Sequence, residues 1–262
     1  MRFSIITICY NSEKTIERTI KSVLAQTCKD YEYIIVDGAS KDGTLDIVKR
    51  YESQFEGRIK WKSEPDNGIY NAMNKGIERA SGVIIGIVNS DDWLEPDALE
   101  NVAKAFDKNA HDQNSLYCGG INFHFTDGSV KQGKVSIPAL HKNAKLYIVK
   151  GVRHPGLFVP KKVYNEVGLF NDEMKLSADL QFMLRCYYQN KRFIDINAIV
   201  SNMSEGGIST INNKKARMIS RADRKILLES FGKKGLSYYW LFYSWRCRGI
   251  VKRLAKRLGL FK

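Results

Sequence analysis

The stretch VIIGIVNSDDW, residues 83–93, decides the fold. Its first six residues are apolar without interruption, which is typical of a short strand that helices cover on both faces. Asn89, Ser90, Asp91 and Asp92 follow directly, so the strand runs into a polar loop with two adjacent carboxylates. In an open parallel sheet, ligands bind beyond the carboxyl ends of the strands. The stretch therefore predicts both a buried central strand and a ligand site at its end.

Strand and helix patterns alternate on both sides of this stretch. Strand patterns at Phe3–Cys9, Tyr33–Val36 and Arg58–Lys62 are each followed by helical spacing of apolar residues, the third of these helices running from about Ile69 to Ala80. This alternation through about residue 108 predicts a parallel sheet with right-handed crossovers. The second half is mixed, with strands predicted over 116–125, 130–137, 156–159 and 193–200 and helices over 161–167 and 179–188.

Polar residues follow each of the four predicted parallel strands. The first strand ends in Tyr10 and Asn11, the second at Asp37, and the third shortly before Asp66. Asp37 could accept hydrogen bonds from a base or a ribose, and the adjacent carboxylates of Asp91 and Asp92 suit Mg²⁺ or Mn²⁺ with coordination sites left for phosphate oxygens. Neither a dinucleotide fingerprint nor a P-loop occurs, which argues against those two phosphate-binding classes.

Charge divides the chain of 262 residues into two unequal parts. The formal net charge is +14, of which +13 lies between residues 214 and 262, where 15 Lys and Arg residues face only Asp223 and Glu229. No uncharged stretch is long enough to cross a bilayer, and no secretory signal is expected. The five cysteines are odd in number and share no short spacing, which argues against a disulfide framework or a thiolate zinc site and favours a reducing cytoplasm.

The basic end of the chain has an amphipathic helical pattern over residues 236–262. Apolar residues recur every three or four positions on one stripe, cationic residues lie beside or opposite it, and tyrosines and tryptophans are frequent. This combination predicts a helix lying on an anionic membrane surface. Two alternatives stay open: a terminal helix packed on the body with a solvated basic face, and a nucleic-acid-binding tail.

Several segments, in order, resemble the family 2 glycosyltransferases of the GT-A fold, in particular bacterial enzymes of surface-polysaccharide assembly. The matching segments are SIITICYNSEKTIERTIKSVLAQT, YIIVDGASKDGTLDI, SEPDNGIYNAMNKGIERASG, NSDDWL, RHPGLFVPKKVYNEVGLFN and SADLQFMLR, which cover about residues 3–185. The resemblance implies an α/β fold with a Rossmann-like, mainly parallel sheet, helices on both faces, a mixed α+β acceptor half and C-terminal helices. It implies domain boundaries at 1–212, with a nucleotide-sugar half (1–110) and an acceptor half (111–212), followed by the basic tail 213–262.

The same resemblance implies a role for each matching residue. The implied base is Asp179 and the implied metal ligand is Asp91, with Mn²⁺ or Mg²⁺ as cofactor. Residues implied at the nucleotide are Thr7, Tyr10, Asn11, Asp37, Asp66 and Ser90, and those implied at the donor sugar or acceptor are Asp92, His154, Gly207 and Ser209. The sequence departs from the family pattern at Gly38, Asn89 and Ala178, where acids are usual.

The implied function is inverting transfer of a sugar from a nucleoside-diphosphate sugar, with UDP expected as the nucleotide, to a glycan hydroxyl. The implied acceptor is a glycan or an oligosaccharide on a polyprenyl diphosphate, and the implied location is the cytoplasmic face of the cell membrane, with no nucleic-acid partner. Two alternatives remain: a binding protein of the same fold that has lost catalysis, motivated by the three departures, and a basic nucleic-acid-binding protein.

Overall fold

The computed structural model describes residues 2–135, 152–206, 222, 223 and 226. The strands are β1 (Phe3–Cys9), β2 (Tyr31–Asp37), β3 (Ile59–Ser63), β4 (Ile84–Ile87), β5 (Trp93–Leu94), β6 (Ser115–His124), β7 (Val130–Gly133), β8 (Leu157–Pro160) and β9 (Arg192–Ser204). The α-helices are α1 (Ile16–Leu24), α2 (Thr44–Glu52), α3 (Ile69–Arg79), α4 (Ala98–Lys108), α5 (Lys161–Val167) and α6 (Ala178–Tyr188).

The nine strands of the described part form one sheet in the order β3-β2-β1-β4-β8-β6-β9-β5, and β7 pairs with the last four residues of β6. The first four positions are parallel, and Cys9 at the end of β1 is in register with Asp37 at the end of β2. Strand β8 is antiparallel to both β4 and β6, whereas β9 is parallel to β6. The prediction of a mainly parallel first half followed by a mixed half is therefore confirmed.

Helices cover both faces of this sheet because alternate residues of each strand point to opposite sides. Ile6 and Ile8 of β1 belong to a core cluster that also contains side chains of α3, α5 and α6. Ile5 and Cys9 of the same strand belong to a second cluster, with side chains of α1, α2 and α4. The central strands are thus buried on both faces, as the unbroken apolar run of β4 predicts.

Some element boundaries differ from those predicted. Strand β5 was not predicted, because its two residues carry no periodicity and are held by pairing with β9. Because proline is common at the first position of a helix, Pro96 predicts a helix that begins at that residue, but α4 begins at Ala98, after the N-cap residue Asp97. The end of the predicted strand 130–137 lies outside the described residues, beyond Val135.

Most of the basic tail, residues 213–262, also lies outside the described residues. Three of its residues are described: Ala222, Asp223 and Ile226 are helical, Ile226 packs against the core, and Asp223 is buried. Within the described segments, no helix is both long enough and apolar enough to cross a bilayer.

Candidate active site at the carboxyl edge of the sheet

Asp37 ends β2, and its buried carboxylate joins the ends of three strands. It accepts hydrogen bonds from the backbone N–H and the hydroxyl of Ser40, at 3.0 and 2.5 Å, and from the Ser63 hydroxyl at the end of β3, at 2.6 Å. The thiol of Cys9 donates a longer bond of 3.5 Å. Burial raises the pKa of Cys9, and Asp37 raises it further, so the thiol stays protonated and can donate.

Asn11 locks the loop after β1 to the loop after β2. Its backbone has φ 49°, its N–H donates to the Ser40 hydroxyl at 2.8 Å, and its side-chain oxygen accepts from the N–H of Lys41 at 2.8 Å. Asn11 therefore shapes the loop that surrounds Asp37. Its neighbour Tyr10 is 62% exposed, which leaves its ring available to stack on a planar group.

Asp66 lies in the space that a side chain at position 38 would occupy. A Cβ placed on Gly38 would lie 2.5 Å from Oδ2 of Asp66 and 3.4 Å from the ring of Tyr10. The other oxygen, Oδ1, accepts the N–H of Gly68 at 2.8 Å, and Gly68 has φ 119°, which favours glycine. A side chain at position 38 would therefore collide with the carboxylate of Asp66.

Thr7 does not lie at this edge. It is fully buried two residues before the end of β1, on the face covered by α1 and α2, and its hydroxyl accepts a hydrogen bond from the Tyr33 hydroxyl at 2.9 Å. The structure therefore places Thr7 in the core and not along a pocket, in contrast to its expected position. Gly207 and Ser209 lie outside the described residues.

The loop after β4 holds the adjacent carboxylates in two different environments. Asp92 is only 1% exposed, and its Oδ2 accepts a hydrogen bond from the Asn89 amide at 3.4 Å. Burial raises the pKa of Asp92 to about 8, with a further contribution from the charge of Asp91, so both effects favour the protonated form of this carboxyl. Asp91 is partly exposed, and no residue in the described part donates a hydrogen bond to its carboxylate. The Ser90 hydroxyl is 2.8 Å from that of Ser12, next to Asn11.

This loop offers two side-chain oxygens that could serve as ligands of a divalent cation. Asp91 offers a carboxylate, and the side-chain oxygen of Asn89 is buried without a hydrogen-bond partner. The described residues, this loop included, contain no group of three or more His, Cys, Asp or Glu side chains that could hold a metal ion by themselves. A cation held by one or two carboxylates and by phosphate oxygens is the usual arrangement for Mg²⁺ at nucleotides.

Arg18 and Trp93 contact the loop after β4. Arg18 is a residue of the site that no sequence pattern predicts. The Arg18 guanidinium lies 3.7 Å from the centre of the Trp93 ring and donates to the Asp91 carbonyl at 2.8 Å and to the Ser204 hydroxyl at 2.7 Å. The Trp93 ring in turn lies 4.6 Å from that of His124. Because Arg18 is on α1, only the folded chain brings it to the loop after β4, and no local motif marks it.

Asp179 lies in the first turn of α6 and is partly buried. The buried hydroxyl of Tyr70, in the first turn of α3, donates to its Oδ1 at 3.0 Å. Burial raises the pKa of Tyr70, and Asp179 raises it further, so the hydroxyl stays protonated. His154 lies close enough for Asp179 to influence it: burial lowers the pKa of His154, while Asp179 opposes this shift. Tyr70 lies just after the loop that contains Asp66. Its hydrogen bond to Asp179 therefore places Asp179 and Asp66 at the same edge of the sheet.

Comparison with known proteins agrees with this architecture. The sequence profile described as "Glycosyl transferase family 2" matches residues 4–167. A "PGL/p-HBAD biosynthesis glycosyltransferase" from Mycobacterium bovis (strain BCG / Pasteur 1173P2) is 28% identical over 218 residues, which cover 81% of each chain.

Two solved structures share the fold. S. aureus TarS 1-349 in complex with UDP-GlcNAc has a TM-score of 0.68 at 22% identity, covering 87% of this chain and 66% of that one. The mannosyltransferase PcManGT from Pyrobaculum calidifontis in complex with GDP-Man and Mn²⁺ has a TM-score of 0.62 at 18% identity, covering 87% and 63%. The profile match spans more than half of the chain. The chain therefore belongs to glycosyl transferase family 2.

Proposed function

We propose that the chain is an inverting glycosyltransferase that transfers a sugar from a nucleoside-diphosphate sugar, with UDP as the preferred nucleotide, to a glycan hydroxyl. The observation that carries this proposal is the pair of carboxylates at one edge of the sheet with opposite surroundings. Asp91 has no hydrogen-bond donor at its carboxylate in the described part of the chain, whereas Asp179 is oriented by Tyr70. Asp91 is therefore suited to hold a cation at a diphosphate, and Asp179 is suited to act as a base.

The nucleotide contacts are assigned to the cleft around Gly38. Tyr10 would stack on the base, Asp66 would accept hydrogen bonds from the nucleotide, and Asp37, Asn11 and Ser90 would hold the surrounding loops in place. This role departs from the expected contact between Asp37 and the base, because Asp37 is fully buried and its carboxylate already accepts hydrogen bonds from Ser40, Ser63 and Cys9. The nucleotide sugars bound by TarS and PcManGT support this class of donor.

The chemistry assigned to this chain is a single displacement at the anomeric carbon. Asp179 takes the proton of the acceptor hydroxyl as the hydroxyl attacks, a role that contributes about 10²–10⁴-fold in other enzymes. A single base on the face opposite the leaving diphosphate gives inversion. Asp91 and the unpaired oxygen of Asn89 would hold Mn²⁺ or Mg²⁺, which neutralises charge on the departing diphosphate. Asp92 and His154 are assigned to the side of the donor sugar and acceptor, together with Gly207 and Ser209.

The charge distribution supports an extension of the proposal to the acceptor and the cellular location. A net charge of +13 over residues 214–262 suits an anionic membrane surface. We therefore include in the proposal an acceptor carried on a polyprenyl diphosphate, a role in surface-polysaccharide assembly, and a peripheral position on the cytoplasmic face of the membrane. The proposed division is a catalytic unit over 1–212, with nucleotide and acceptor halves, and the tail 213–262.

A binding protein without catalysis is the second candidate. The Gly38, Asn89 and Ala178 positions favour it, since each lacks the acid that is usual in the family.

A thermal-shift panel of UDP, GDP and ADP, each with and without Mn²⁺, tests the donor assignment because binding to the folded state raises the melting temperature. The proposal expects the largest shift with UDP and Mn²⁺ together. A panel of UDP-sugars is then incubated with glycan acceptors and Mn²⁺, and release of UDP is measured. Binding of UDP without sugar transfer or donor hydrolysis would favour the second candidate, and no nucleotide-dependent shift would contradict both.

A further inference from the structure

Asp223 is a buried carboxylate that comes from outside the segment matched by the family profile. It lies 44 residues after Asp179 in sequence, in a helical turn, and is 1% exposed. A buried carboxylate is costly unless hydrogen bonds compensate its lost hydration. Its location beyond residue 167, where the profile match ends, means that no family motif predicts its role.

The two oxygens of Asp223 bind consecutive backbone amides. Oδ1 accepts the N–H of Lys175 at 2.9 Å, and Oδ2 accepts the N–H of Leu176 at 2.6 Å. Hydrogen bonds to an ionised acceptor are roughly twice as strong as neutral ones. The carboxylate therefore fixes the backbone immediately before Ser177, the residue that caps α6. Asp179 lies in the first turn of that helix, so its position depends on where the helix begins.

The segment from 170 to 179, which leads into α6, is also held by α3 and by the loop before α3. Asn71 donates to the Asp172 carboxylate at 2.9 Å, and Asn74 exchanges two hydrogen bonds with the backbone of Phe170, at 2.9 and 3.0 Å. The ammonium group of Lys175 donates to the carbonyl of Asn67, next to Asp66, at 2.8 Å. The segment from 170 to 179 therefore joins the loop of the proposed nucleotide site to the proposed base.

We propose that Asp223 is a positioning residue for Asp179. By holding the backbone amides of Lys175 and Leu176, it fixes where α6 begins and how far Asp179 lies from the loop that contains Asp66. The role in catalysis rests on the proposed function. Misplacing a reacting group by about 1 Å can cost about 100-fold in rate. Loss of one carboxylate that anchors the segment should therefore reduce turnover while leaving the nucleotide contacts in place.

The test compares Asp223→Asn with Asp112→Asn in the full chain. Asp112 also accepts a backbone N–H, that of Asn114 at 2.8 Å, together with the Ser115 hydroxyl at 2.5 Å, but it lies at the opposite edge of the sheet, at the start of β6. Hydrogen–deuterium exchange in peptides covering 172–181 is measured first, followed by kcat, KM for the donor, and the UDP-induced thermal shift with Mn²⁺. We expect faster exchange in that segment for Asp223→Asn alone, and a kcat about tenfold lower with donor KM and UDP shift unchanged.

Lys175→Met serves as a second variant if Asp223→Asn does not fold, since Lys175 is exposed and the change removes its hydrogen bonds to the carbonyls of Asn67 and Asp172 while keeping the backbone N–H that Asp223 binds. It should raise exchange in the same peptides and lower kcat by about threefold. Unchanged exchange over 172–181, an unchanged kcat, or a loss of UDP binding equal to the loss of kcat would overturn the positioning role. If the wild-type chain transfers no sugar, the proposed function fails separately, and the exchange experiment alone decides whether Asp223 holds the segment.

Discussion

The hydroxyl of Tyr70 donates a hydrogen bond to Oδ1 of Asp179 at 3.0 Å, although 109 residues separate the two in sequence. Tyr70 is in the first turn of α3, and Asp179 is in the first turn of α6. The bond engages one carboxylate oxygen of Asp179 and restricts the rotation of the side chain, and among the described residues no hydrogen bond engages the other oxygen, which is the one available for the proposed role as base. Asp66 and Gly68 lie in the loop directly before α3. The contact therefore also joins this loop, which is proposed to bind the donor, to Asp179, the proposed base.

Replacing Tyr70 with phenylalanine should lower kcat about tenfold, because the base loses the donor that orients it. Donor KM should change little, since the nucleotide contacts are elsewhere. Steady-state rates at varied donor concentration measure both constants. Tyr117→Phe is the matched control: its buried hydroxyl donates to the Asp112 carbonyl at 2.9 Å, far from the site, so kcat should be unaffected. An equal loss of kcat in both variants would contradict a specific role for Tyr70.

Asp179→Asn should abolish sugar transfer, because an amide cannot accept the proton of the acceptor hydroxyl. The expected loss in kcat is about 10²–10⁴-fold. The UDP-induced thermal shift in the presence of Mn²⁺ should remain, since Asp179 makes no proposed contact with the nucleotide. Full transfer activity in Asp179→Asn would remove the assignment of Asp179 as the base, and His154 would become the residue to test next.

Asp91→Asn should remove the Mn²⁺-dependent part of UDP binding. The amide keeps the size of the side chain but loses the negative charge that a hard divalent cation requires. The thermal shift with UDP and Mn²⁺ should fall to that with UDP alone, and transfer should be lost. Asp46→Asn makes the same change of charge at a side chain that is 82% exposed on α2, and it should bind like the wild type. Undiminished Mn²⁺ dependence in Asp91→Asn would contradict the assignment.

Much of the fold could be predicted because its causes are local. The sequence shows the unbroken apolar run of β4, the alternation of strands and helices, and the polar residues after each strand. As expected, the parallel strands place these polar residues at one edge of the sheet. Strand β5 was missed because two residues carry no pattern, and the start of α4 was placed too early because Asp97, and not Pro96, precedes its first turn.

The contacts within the site could not be predicted in the same way. Arg18 reaches the Asp91 loop, Tyr70 reaches Asp179, and Asp223 reaches Leu176 only after distant segments pack together. Thr7 shows the opposite error. The family resemblance implied a position for Thr7 at the nucleotide, but the alternation of side chains along β1 directs it into the core, where its hydroxyl accepts a hydrogen bond from Tyr33.

Glu32 predicts how stability depends on pH. Its buried carboxylate accepts hydrogen bonds from Ser4, Ser81 and Lys60, at 2.6, 2.7 and 2.8 Å. Although burial alone would raise its pKa, Lys60 and the serine hydrogen bonds outweigh that effect and lower the pKa of Glu32 to about 2. Because this folded-state pKa is below the unfolded value, the stabilisation is complete above about pH 4.5 and is lost as pH falls from there towards 2.

Glu32→Gln should therefore unfold more easily at neutral pH, by about 2 kcal/mol, because several buried donors lose an ionised acceptor. The difference from wild type should shrink as the pH falls below about 4.5. Urea unfolding at pH 7, 5 and 3.5 measures it. Glu100→Gln, which alters an acid that is 44% exposed on α4, is the control and should stay within about 0.5 kcal/mol of wild type. A pH-independent difference for Glu32→Gln would contradict the pKa assignment.

Gly38→Ala should weaken nucleotide binding about tenfold, because the added Cβ would lie 2.5 Å from Oδ2 of Asp66 and would push that carboxylate out of the cleft. The affinity for UDP with Mn²⁺, measured by calorimetry, gives the effect directly. Gly43→Ala is the matched control in the same loop, because its Cβ would meet only the flexible end of Glu13, at 3.2 Å. Equal UDP affinity in the two variants would show that Asp66 does not contact the nucleotide from this position, and the cleft around Tyr10 would then have to bind the base without it.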